Sequence, residues 1–415
     1  MELNSIEKSI EMYGTPLYLH DSETIKTQYR KLKDSIPANF EIFYSVKANP
    51  LIGICQLLYS CGCKAEIASM GELLVALKSG FKGNDIIFTS PGKTAQEIEY
   101  AIDNDVYCIN IESLEEALII NKIGNEKSKI VNIAVRINPN FDYSKTDFKM
   151  AGTPTQFGVD IDIAPSVFEV LIMLSHIKVI GIHVYAASQI LSADSILQNI
   201  EGIIQIAIML SSKYDFKLEF LDLGGGFGIT YFPEDTELDL DRLKNGLDNI
   251  WIDYGHKLAK TRMAIECGRF LVADAGVLIT KVLYKKLCKD KTFLICDGGY
   301  NQHPAASFVG RLKRNRFSVR LLYAKSNSKE KVTLAGVSCA PIDIIAEDVI
   351  IDKAEAGDYI VIEKSGAYGL TNSPTLFLSH PRAAEVLIYQ RNLRLLRERG
   401  TKEDFIINQN HLFDS

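Results

Sequence analysis

The sequence contains no apolar run long enough to cross a bilayer and no excess of basic residues. A membrane-spanning helix needs about 20 consecutive apolar residues, and the N-terminal segment MELNSIEKSIEMYG lacks the apolar core of a signal peptide. The 46 Lys and Arg residues against 52 Asp and Glu give a formal net charge of −6, whereas nucleic-acid-binding proteins usually carry a basic excess. We therefore expect a cytoplasmic protein that binds neither membrane nor nucleic acid.

The eight cysteines show no spacing typical of a disulfide framework or of a zinc site. They are scattered through apolar stretches of a chain without an export signal, which favours reduced thiols. Cys61 and Cys63 are separated by a single residue, too close for the usual C-x-x-C zinc ligands, and no second pair accompanies them. We therefore expect neither disulfides nor a metal site.

From about residue 38 to residue 267, short β-branched runs alternate with amphipathic helical stretches. Near-continuous apolar strands indicate burial on both faces, as in a parallel sheet covered by helices. About eight such units within this length favour a closed (β/α)8 barrel over an open sheet. The predicted strands are Glu41–Val46, Lys64–Ala68, Asp85–Thr89, Val106–Ile111, Ile130–Ile137, Val179–Tyr185, Leu218–Leu223 and Met263–Glu266.

After residue 267 the pattern changes to strands joined by turns, with few helical stretches. We predict strands at Gly276–Tyr284, Thr292–Cys296, Val332–Ser338 and Tyr359–Glu363, and we expect Thr15–His20 to pair with them. The sequence thus predicts an α/β fold: a TIM barrel over residues 26–266, a β-rich domain from residues 1–25 and 267–398, and a peripheral tail from 399 to 415.

Polar residues follow several of the predicted barrel strands, at the ends where β/α barrels carry their reactive groups. Lys47 ends the first of these strands, in YSVKANP. An unpaired ammonium there would be costly, so one interpretation is an internal ion pair. The other is a Schiff-base lysine, whose amine must lose its proton readily to attack an aldehyde. The later strand ends carry Arg136, Asn138, His183, Tyr185, Ser188, Gly225, Gly226, Glu266 and Arg269.

The glycine run in LGGGFG, residues 223–228, is typical of a strand-to-helix turn whose backbone N–H groups converge on an anion. It is neither a dinucleotide fingerprint, because Ile229 stands at the last position, nor a P-loop. A tight turn without a ligand is the alternative interpretation. Arg269 adds a bidentate partner for a phosphate, so the two features together predict a phosphorylated cofactor at the barrel mouth.

Glu266 is informative if that cofactor is pyridoxal phosphate, because a carboxylate beside the pyridine nitrogen keeps it protonated and favours decarboxylation. A surface ion pair with Arg269 is the alternative. His183 is either part of the site or a hydrogen-bonded core imidazole. Cys339, in LAGVSCAPID, is either a core thiol or a positioned proton donor. Tyr368 lies between two glycines that allow it to project toward a ligand.

Nine motifs, in order along the chain, resemble those of the fold-type III pyridoxal-phosphate decarboxylases, relatives of diaminopimelate and ornithine decarboxylases. They are GTPLYLHD (14–21), YSVKANP (44–50), AEIASMGEL (65–73), RINP (136–139), QFGVD (156–160), LGGGFG (223–228), ECGR (266–269), CAPID (339–343) and GAYG (366–369). The resemblance covers about Gly14 to Ile388. It implies an alanine-racemase-like barrel joined to a β-domain, pyridoxal 5'-phosphate as cofactor, and a head-to-tail homodimer in which Cys339 reaches the cofactor of the partner subunit.

The resemblance also implies roles for individual residues. Lys47 resembles the lysine that binds the cofactor, Glu266 the partner of the pyridine nitrogen, Cys339 the proton donor and Tyr368 a further cofactor ligand. The phosphate cradle corresponds to Arg269, Ser188, Gly225 and Gly226. The family commonly has H-x-H-x-G-S where this chain has His183, Tyr185, Ala187 and Ser188, so we expect Tyr185 to stack on the ring in place of histidine.

Ala340 is the residue that says most about the class of substrate. Relatives that act on free diamino acids usually carry Asp or Glu directly after the cysteine, and alanine makes no charged contact. The segments DGGYNQHPAAS (297–307) and SPTLFLSHP (373–381) resemble a narrower branch, which decarboxylates amino-acid units attached to an acyl carrier protein or to a citryl-type siderophore intermediate. We therefore predict a conjugated substrate, contacted by Arg136, His303 and Asp343.

A basic run, Arg311, Lys313, Arg314 and Arg316, either meets an acidic carrier protein or is a solvated charged face. Three other functions compete with the predicted one. The first is decarboxylation of a free diamino acid such as diaminopimelate, lysine or ornithine. The second is racemisation, against which Glu266 and VKANP argue, since racemases of this shape usually read V-K-A-D-A-Y. The third is non-catalytic cofactor binding, against which the C-terminal β-domain argues.

Overall fold

The computed structural model describes residues 2–140, 154–304, 317–324 and 327–412. The chain divides into two compact units. The barrel unit comprises residues 26–230 and 235–271, and the β-unit comprises residues 1–25, 231–234 and 272–415. The basic run at 311–316 lies outside the described residues.

The chain begins with helix α1 (Leu3–Tyr13), strand β1 (Leu17–Asp21) and helix α2 (Ser22–Asp34). The barrel strands follow as β2 (Phe40–Ser45), β3 (Lys64–Ile67), β4 (Ile86–Thr89), β5 (Cys108–Ile111), β6 (Val131–Asn138), β8 (Ile177–His183), β9 (Phe220–Asp222) and β10 (Arg262–Cys267), with the short β7 (Val159–Asp160) added to β6. These eight strands are parallel, and β10 pairs with β2, so the sheet closes. The predicted barrel is confirmed.

Helices connect these strands, as a parallel sheet requires. They are α3 (Ile52–Cys61), α4 (Met70–Lys78), α5 (Ala95–Asp103), α6 (Leu114–Glu126), α7 (Ala164–Leu171), α8 (Ala193–Lys213) and α9 (Leu240–Leu258), with the short α10 (Arg269–Val272) after β10. Local sequence fixes their starts: Thr94 and Glu97 form a capping box at α5. Strand residues such as Phe43, Ile87 and Phe220 pack in one buried cluster.

The β-unit is built on a nine-stranded sheet that includes β1. Its other strands are β11 (Gly276–Cys288), β12 (Lys291–Cys296), β13 (Val319–Leu321), β14 (Lys329–Ala335), β15 (Ile344–Asp352), β16 (Tyr359–Ile362), β17 (Ala384–Tyr389) and β18 (Asn392–Arg397). Strand β1 pairs antiparallel with β11 and parallel with β17. The N-terminal strand therefore joins the later strands, as we expected.

The segment that we expected to be a peripheral tail begins with hydrogen bonds to the β-unit. Arg399 Nη2 donates to the backbone oxygens of Tyr13 at 2.8 Å and Pro16 at 3.0 Å. Arg382 Nη2 pairs with Asp404 at 2.7 Å. These contacts hold the beginning of the segment, whereas residues 406–412 are exposed. None of the helices in the described part of the chain is long and apolar enough to span a membrane.

Candidate active site

Lys47 lies in a single 3₁₀ turn, Val46–Ala48, directly after β2. Its Nζ donates to both carboxylate oxygens of Glu66 at 2.8 and 2.7 Å. Glu66, near the end of β3, is fully buried, whereas the Lys47 side chain is 39% exposed. The lysine is therefore ion-paired and still accessible. Sequence reasoning missed Glu66, although a charged residue inside the buried strand KAEI is the signal that marks it.

Three buried side chains converge below the strand ends: His183 on β8, Asp222 on β9 and Glu266 on β10. One ligand atom from each lies within 4.8 Å of those of the other two, and His183 Nε2 is 3.5 Å from Glu266 Oε1. Glu266 Oε1 makes no hydrogen bond to any described residue. A buried, unsatisfied carboxylate oxygen is costly, so this atom suits a cationic N–H donor from a bound molecule.

Asp222 is the second acidic residue that sequence reasoning missed. Its Oδ1 accepts the N–H of Gly224 at 3.0 Å, and its Oδ2 accepts Asn110 Nδ2 at 3.1 Å. A histidine and two carboxylates at this spacing can also ligate a metal ion. Because both Asp222 oxygens already accept hydrogen bonds, we interpret Asp222 as a hydrogen-bonded support under the site.

Burial sets the charge of this cluster. It raises the pKa of Glu266 well above its usual range, with a further increase from the neighbouring Asp222. Burial also raises the pKa of Asp222 to about 7. The pKa of His183 is lowered well below its usual range, first by burial and then by the positive charge of Arg136. The imidazole of His183 is therefore neutral, and it lies beside the carboxyl group of Glu266. A cationic ligand would stabilise the ionised form of that carboxyl group.

The glycine run forms a turn that is packed directly against its neighbours. A Cβ on Gly225 would overlap the backbone oxygen of Glu266, and one on Gly226 would overlap that of Ala187. Gly224 and Gly226 have φ values of +61° and +92°, in the left-handed region that favours glycine. The glycine run is thus a tight turn, as both interpretations of the sequence require. A tight turn does not exclude a bound anion, because the glycines place backbone without side chains at the strand ends.

The remaining predicted residues of the barrel unit lie at the same ends. Tyr185 and Ser188 follow β8 and are half-buried, and Arg269, also half-buried, begins α10 after β10. Asn138 is buried at the end of β6. The alternative interpretation of Glu266 was a surface ion pair with Arg269. Glu266 is only 2% exposed, so it is not a surface residue.

Arg136 is engaged by protein groups. Its Nη1 is 2.7 Å from Glu112 Oε1, and both side chains are buried. The other oxygen of Glu112 accepts the N–H of Gly158 at 2.9 Å, and the Arg136 guanidinium lies 4.7 Å from the centre of the Phe157 ring. Arg136 therefore anchors the Phe157–Gly158 turn to β6, and Glu112 is a third acidic partner that sequence reasoning missed.

The β-unit carries the other predicted residues. Cys339 is exposed, so it is not a core thiol. Tyr368 is half-buried and has φ +54°, a left-handed backbone between two glycines. His303 is fully buried, with its ring 5.0 Å from that of Phe317, and burial lowers its pKa to about 4. Asp343 is also buried and hydrogen-bonded to backbone.

Comparison with known proteins identifies the family. The model of the "Pyridoxal-dependent decarboxylase, pyridoxal binding domain" family matches residues 22–273. The chain belongs to the pyridoxal-dependent decarboxylases. The predicted enzyme class and the predicted cofactor, pyridoxal phosphate, are therefore confirmed.

Two curated relatives act on conjugated molecules. The L-glutamyl-(BtrI acyl-carrier protein) decarboxylase of Niallia circulans is 36% identical over 98% of this chain and 96% of its own. The 2-((L-alanin-3-ylcarbamoyl)methyl)-2-hydroxybutanedioate decarboxylase of Staphylococcus aureus is 30% identical over 90% and 94%. A solved structure of M. jannaschii diaminopimelate decarboxylase in complex with L-lysine has a TM-score of 0.91 and 28% identity, over 98% of this chain and 94% of that one.

Proposed function

We propose that this chain removes the α-carboxyl group of an amino-acid unit that is part of a larger molecule, either a carrier-protein thioester or a citryl-type conjugate. The observation that carries the proposal is Ala340. It stands beside the exposed Cys339, where it offers no charge to pair with the distal end of a free diamino acid. The two relatives named above support it, since one acts on a glutamyl carrier protein and the other on an alanine unit joined by an amide to a citrate-like skeleton.

The described residues fit pyridoxal phosphate. We assign Lys47 to its aldehyde, Glu266 to its pyridine nitrogen and Tyr185 to the face of its ring, with His183 beneath the site and Tyr368 as a further ligand. The phosphate is assigned to Gly225, Gly226, Ser188 and Arg269. The unsatisfied oxygen of Glu266 supports this assignment, because it lacks the cationic donor that a protonated ring nitrogen would provide.

When bound, the cofactor supplies an electron sink for the electron pair that CO₂ leaves behind at the α-carbon. The chain supplies proton handling and electrostatics. Lys47 must lose a proton before its amine reacts, and Glu66, with both oxygens within 2.8 Å of Nζ, is positioned to accept that proton. Glu266 holds the charge of the ring nitrogen, and Cys339 returns a proton to the α-carbon.

Three further assignments belong to this proposal. We assign Arg136, His303 and Asp343 to the substrate side of the site as supports of its walls, since each is buried and held by protein contacts. We propose a homodimer whose active sites are shared, with Cys339 serving the cofactor of the partner subunit. We also propose a cytoplasmic location, in keeping with eight cysteines that are all free thiols.

A substrate panel tests the proposal. Carrier-tethered glutamyl groups, citryl–amino acid conjugates and free diaminopimelate, lysine and ornithine are compared by CO₂ release. We expect kcat/KM for a conjugated substrate to exceed that for any free diamino acid by at least about tenfold, equivalent to about 1.4 kcal/mol. A preference for a free diamino acid would instead support the alternative function that the likeness to diaminopimelate decarboxylase suggests.

Variants of Ala340 sharpen this test. Ala340→Glu restores the acidic residue that relatives acting on free diamino acids carry, so it should shift the preference toward lysine and ornithine. Ala340→Gln has nearly the same size without the charge and serves as the matched control. If both variants change the preference equally, side-chain volume rather than charge controls the substrate.

A further inference from the structure

A single buried carboxylate organises the loop that carries Cys339. Asp343 is 2% exposed. Its Oδ1 accepts the N–H of Tyr300 at 2.7 Å, and its Oδ2 accepts the N–H of Ser338 at 2.7 Å. Each oxygen therefore holds a different chain segment: one belongs to DGGYNQH, the other to the loop between β14 and β15.

Both neighbours of Cys339 are tied to the same residue. Ser338 donates its N–H to the carboxylate, and the carbonyl of Ala340 accepts the N–H of Asp343 at 3.0 Å. Ala340 in turn donates its N–H to Ser338 Oγ at 3.0 Å. The backbone oxygen of Asp343 also accepts the N–H of Gly336 at 3.2 Å. The cysteine is thus the exposed tip of a loop whose two sides are fixed at one point.

Two glycines make room for this carboxylate. A Cβ on Gly299 would overlap Asp343 Oδ1, and a Cβ on Gly336 would overlap both carboxylate oxygens. Neither glycine has a positive φ, so space rather than backbone conformation accounts for them. The sequence around Cys339 is therefore built to admit an acidic side chain below the loop.

We propose that Asp343 is a positioning residue that holds the Cys339 thiol where it delivers its proton to the α-carbon. This inference rests on the proposed role of Cys339 as the proton donor. In that step the S–H bond of Cys339 breaks and a C–H bond forms at the carbon that lost CO₂. The thiolate then regains a proton from water. Asp343 acts through the loop and touches no reacting atom.

Asp343→Asn tests the proposal with a minimal change. Asparagine keeps one acceptor oxygen but turns an NH₂ group toward the other N–H, so one of the two hydrogen bonds is lost. The measurement on the holoenzyme is the rate of iodoacetamide alkylation at Cys339, divided by that at the exposed Cys288 on β11 and quantified by peptide mass spectrometry. We expect this ratio to change by about threefold or more, because a charged hydrogen bond has been removed.

The kinetic effect should separate into its two parameters. The thiol acts after the substrate has bound, so kcat should fall by about tenfold to a hundredfold while KM changes less than about threefold. Asp358→Asn is the matched control. Asp358 is a buried aspartate of the same unit, and its Oδ2 accepts the N–H of Glu355 at 2.8 Å. Its replacement should leave the alkylation ratio and kcat unchanged.

An unchanged alkylation ratio and an unchanged kcat in Asp343→Asn would overturn the proposal. Should that variant fail to fold, hydrogen exchange of the unmodified protein decides: the Ser338 amide should be protected despite its place in a surface loop, and rapid exchange there would refute the inference. Alkylation and exchange require no substrate. If both behave as expected while Cys339→Ala keeps full turnover, the proposed proton donor fails rather than the loop geometry.

Discussion

At the scale of single residues, the barrel unit holds several acidic side chains away from water. Glu66, Glu112, Asp222 and Glu266 are each buried, and each is paired or hydrogen-bonded or faces the space assigned to the cofactor. Leaving one member of such a pair alone is strongly destabilising. These residues therefore contribute to the charge balance of the site as much as to its shape.

His303 in the β-unit gives a prediction about pH. Burial lowers its folded-state pKa to about 4 from the usual 6.5, so the unfolded chain binds a proton more readily than the folded chain between these values. Stability therefore rises with pH through this window and is lost as the pH falls from about 6.5 to about 4. The loss attributable to His303 is roughly 2–3 kcal/mol.

Urea unfolding of the wild type and of His303→Gln, at about pH 7.5 and about pH 4.5, measures this effect. The wild type should lose roughly 2–3 kcal/mol more than the variant on acidification. His256→Gln, at an exposed position on α9, is the control and should follow the wild type. Equal losses for the wild type and His303→Gln would contradict the prediction.

At the scale of elements, the glycine turn after β9 shows how closely backbone segments approach. We predict that Gly225→Ala lowers the affinity for pyridoxal phosphate by about tenfold to a hundredfold, because its Cβ would overlap the Glu266 backbone oxygen and such overpacking costs about 1–3 kcal/mol. Equilibrium dialysis of the cofactor provides the measurement. Gly92→Ala, where a Cβ meets nothing within 4 Å, is the control. Unchanged affinity in Gly225→Ala would remove the turn from the cofactor site.

Elements also show which features could be predicted from sequence. The eight barrel strands were predictable because each is a short apolar run buried on both faces. Strands β13, β15, β17 and β18 of the β-unit escaped prediction. Of these, β15 and β18 lie at the two ends of the main strand order, and both carry charged residues, as in AEDVIID and NLRLLR. Edge strands take their pairing from neighbours distant in sequence rather than from their own pattern.

The residues of the site also fall into those that could be predicted from sequence and those that could not. The positions of Lys47, Glu266 and the glycine run at the strand ends were predictable because a barrel places strand ends together. Glu66 could have been found as a charged residue inside a buried strand. Glu112 and Asp222 could not, since each is defined by a partner that only the folded chain supplies: Arg136 and Gly224 respectively. The engagement of Arg136 by Glu112 likewise depends on contacts that residue types alone do not reveal.

At the scale of the whole molecule, the proposed shared active sites lead to a mixing experiment. Lys47→Ala should be inactive and should lack the visible absorption of the bound cofactor, and Cys339→Ala should be nearly inactive. If each site takes its lysine and its cysteine from different subunits, re-equilibrated mixtures should recover about a quarter of the wild-type activity, because half of the dimers then hold one intact site.

Activity of the mixture is measured against each variant alone, with light scattering to establish the dimer. The double variant Lys47→Ala/Cys339→Ala mixed with the wild type is the control. Its mixed dimers hold one wild-type subunit, yet with shared sites each of their sites carries one of the two lesions, so this mixture should keep about a quarter of the wild-type activity rather than the half expected for unshared sites. No recovery in a mixture of dimers would place both residues of each site in one chain.

The position of β1 between β11 and β17 has a consequence for biosynthesis. Residue Leu17 leaves the ribosome early, yet its neighbour Ala384 is made only near the end of translation. The barrel unit can close and β1 can pair with β11 while the chain is still growing, whereas the other edge of β1 stays unpaired until β17 is made. Completion of this sheet is thus a late step, before which the nascent chain presents an open strand edge, a known site of aggregation.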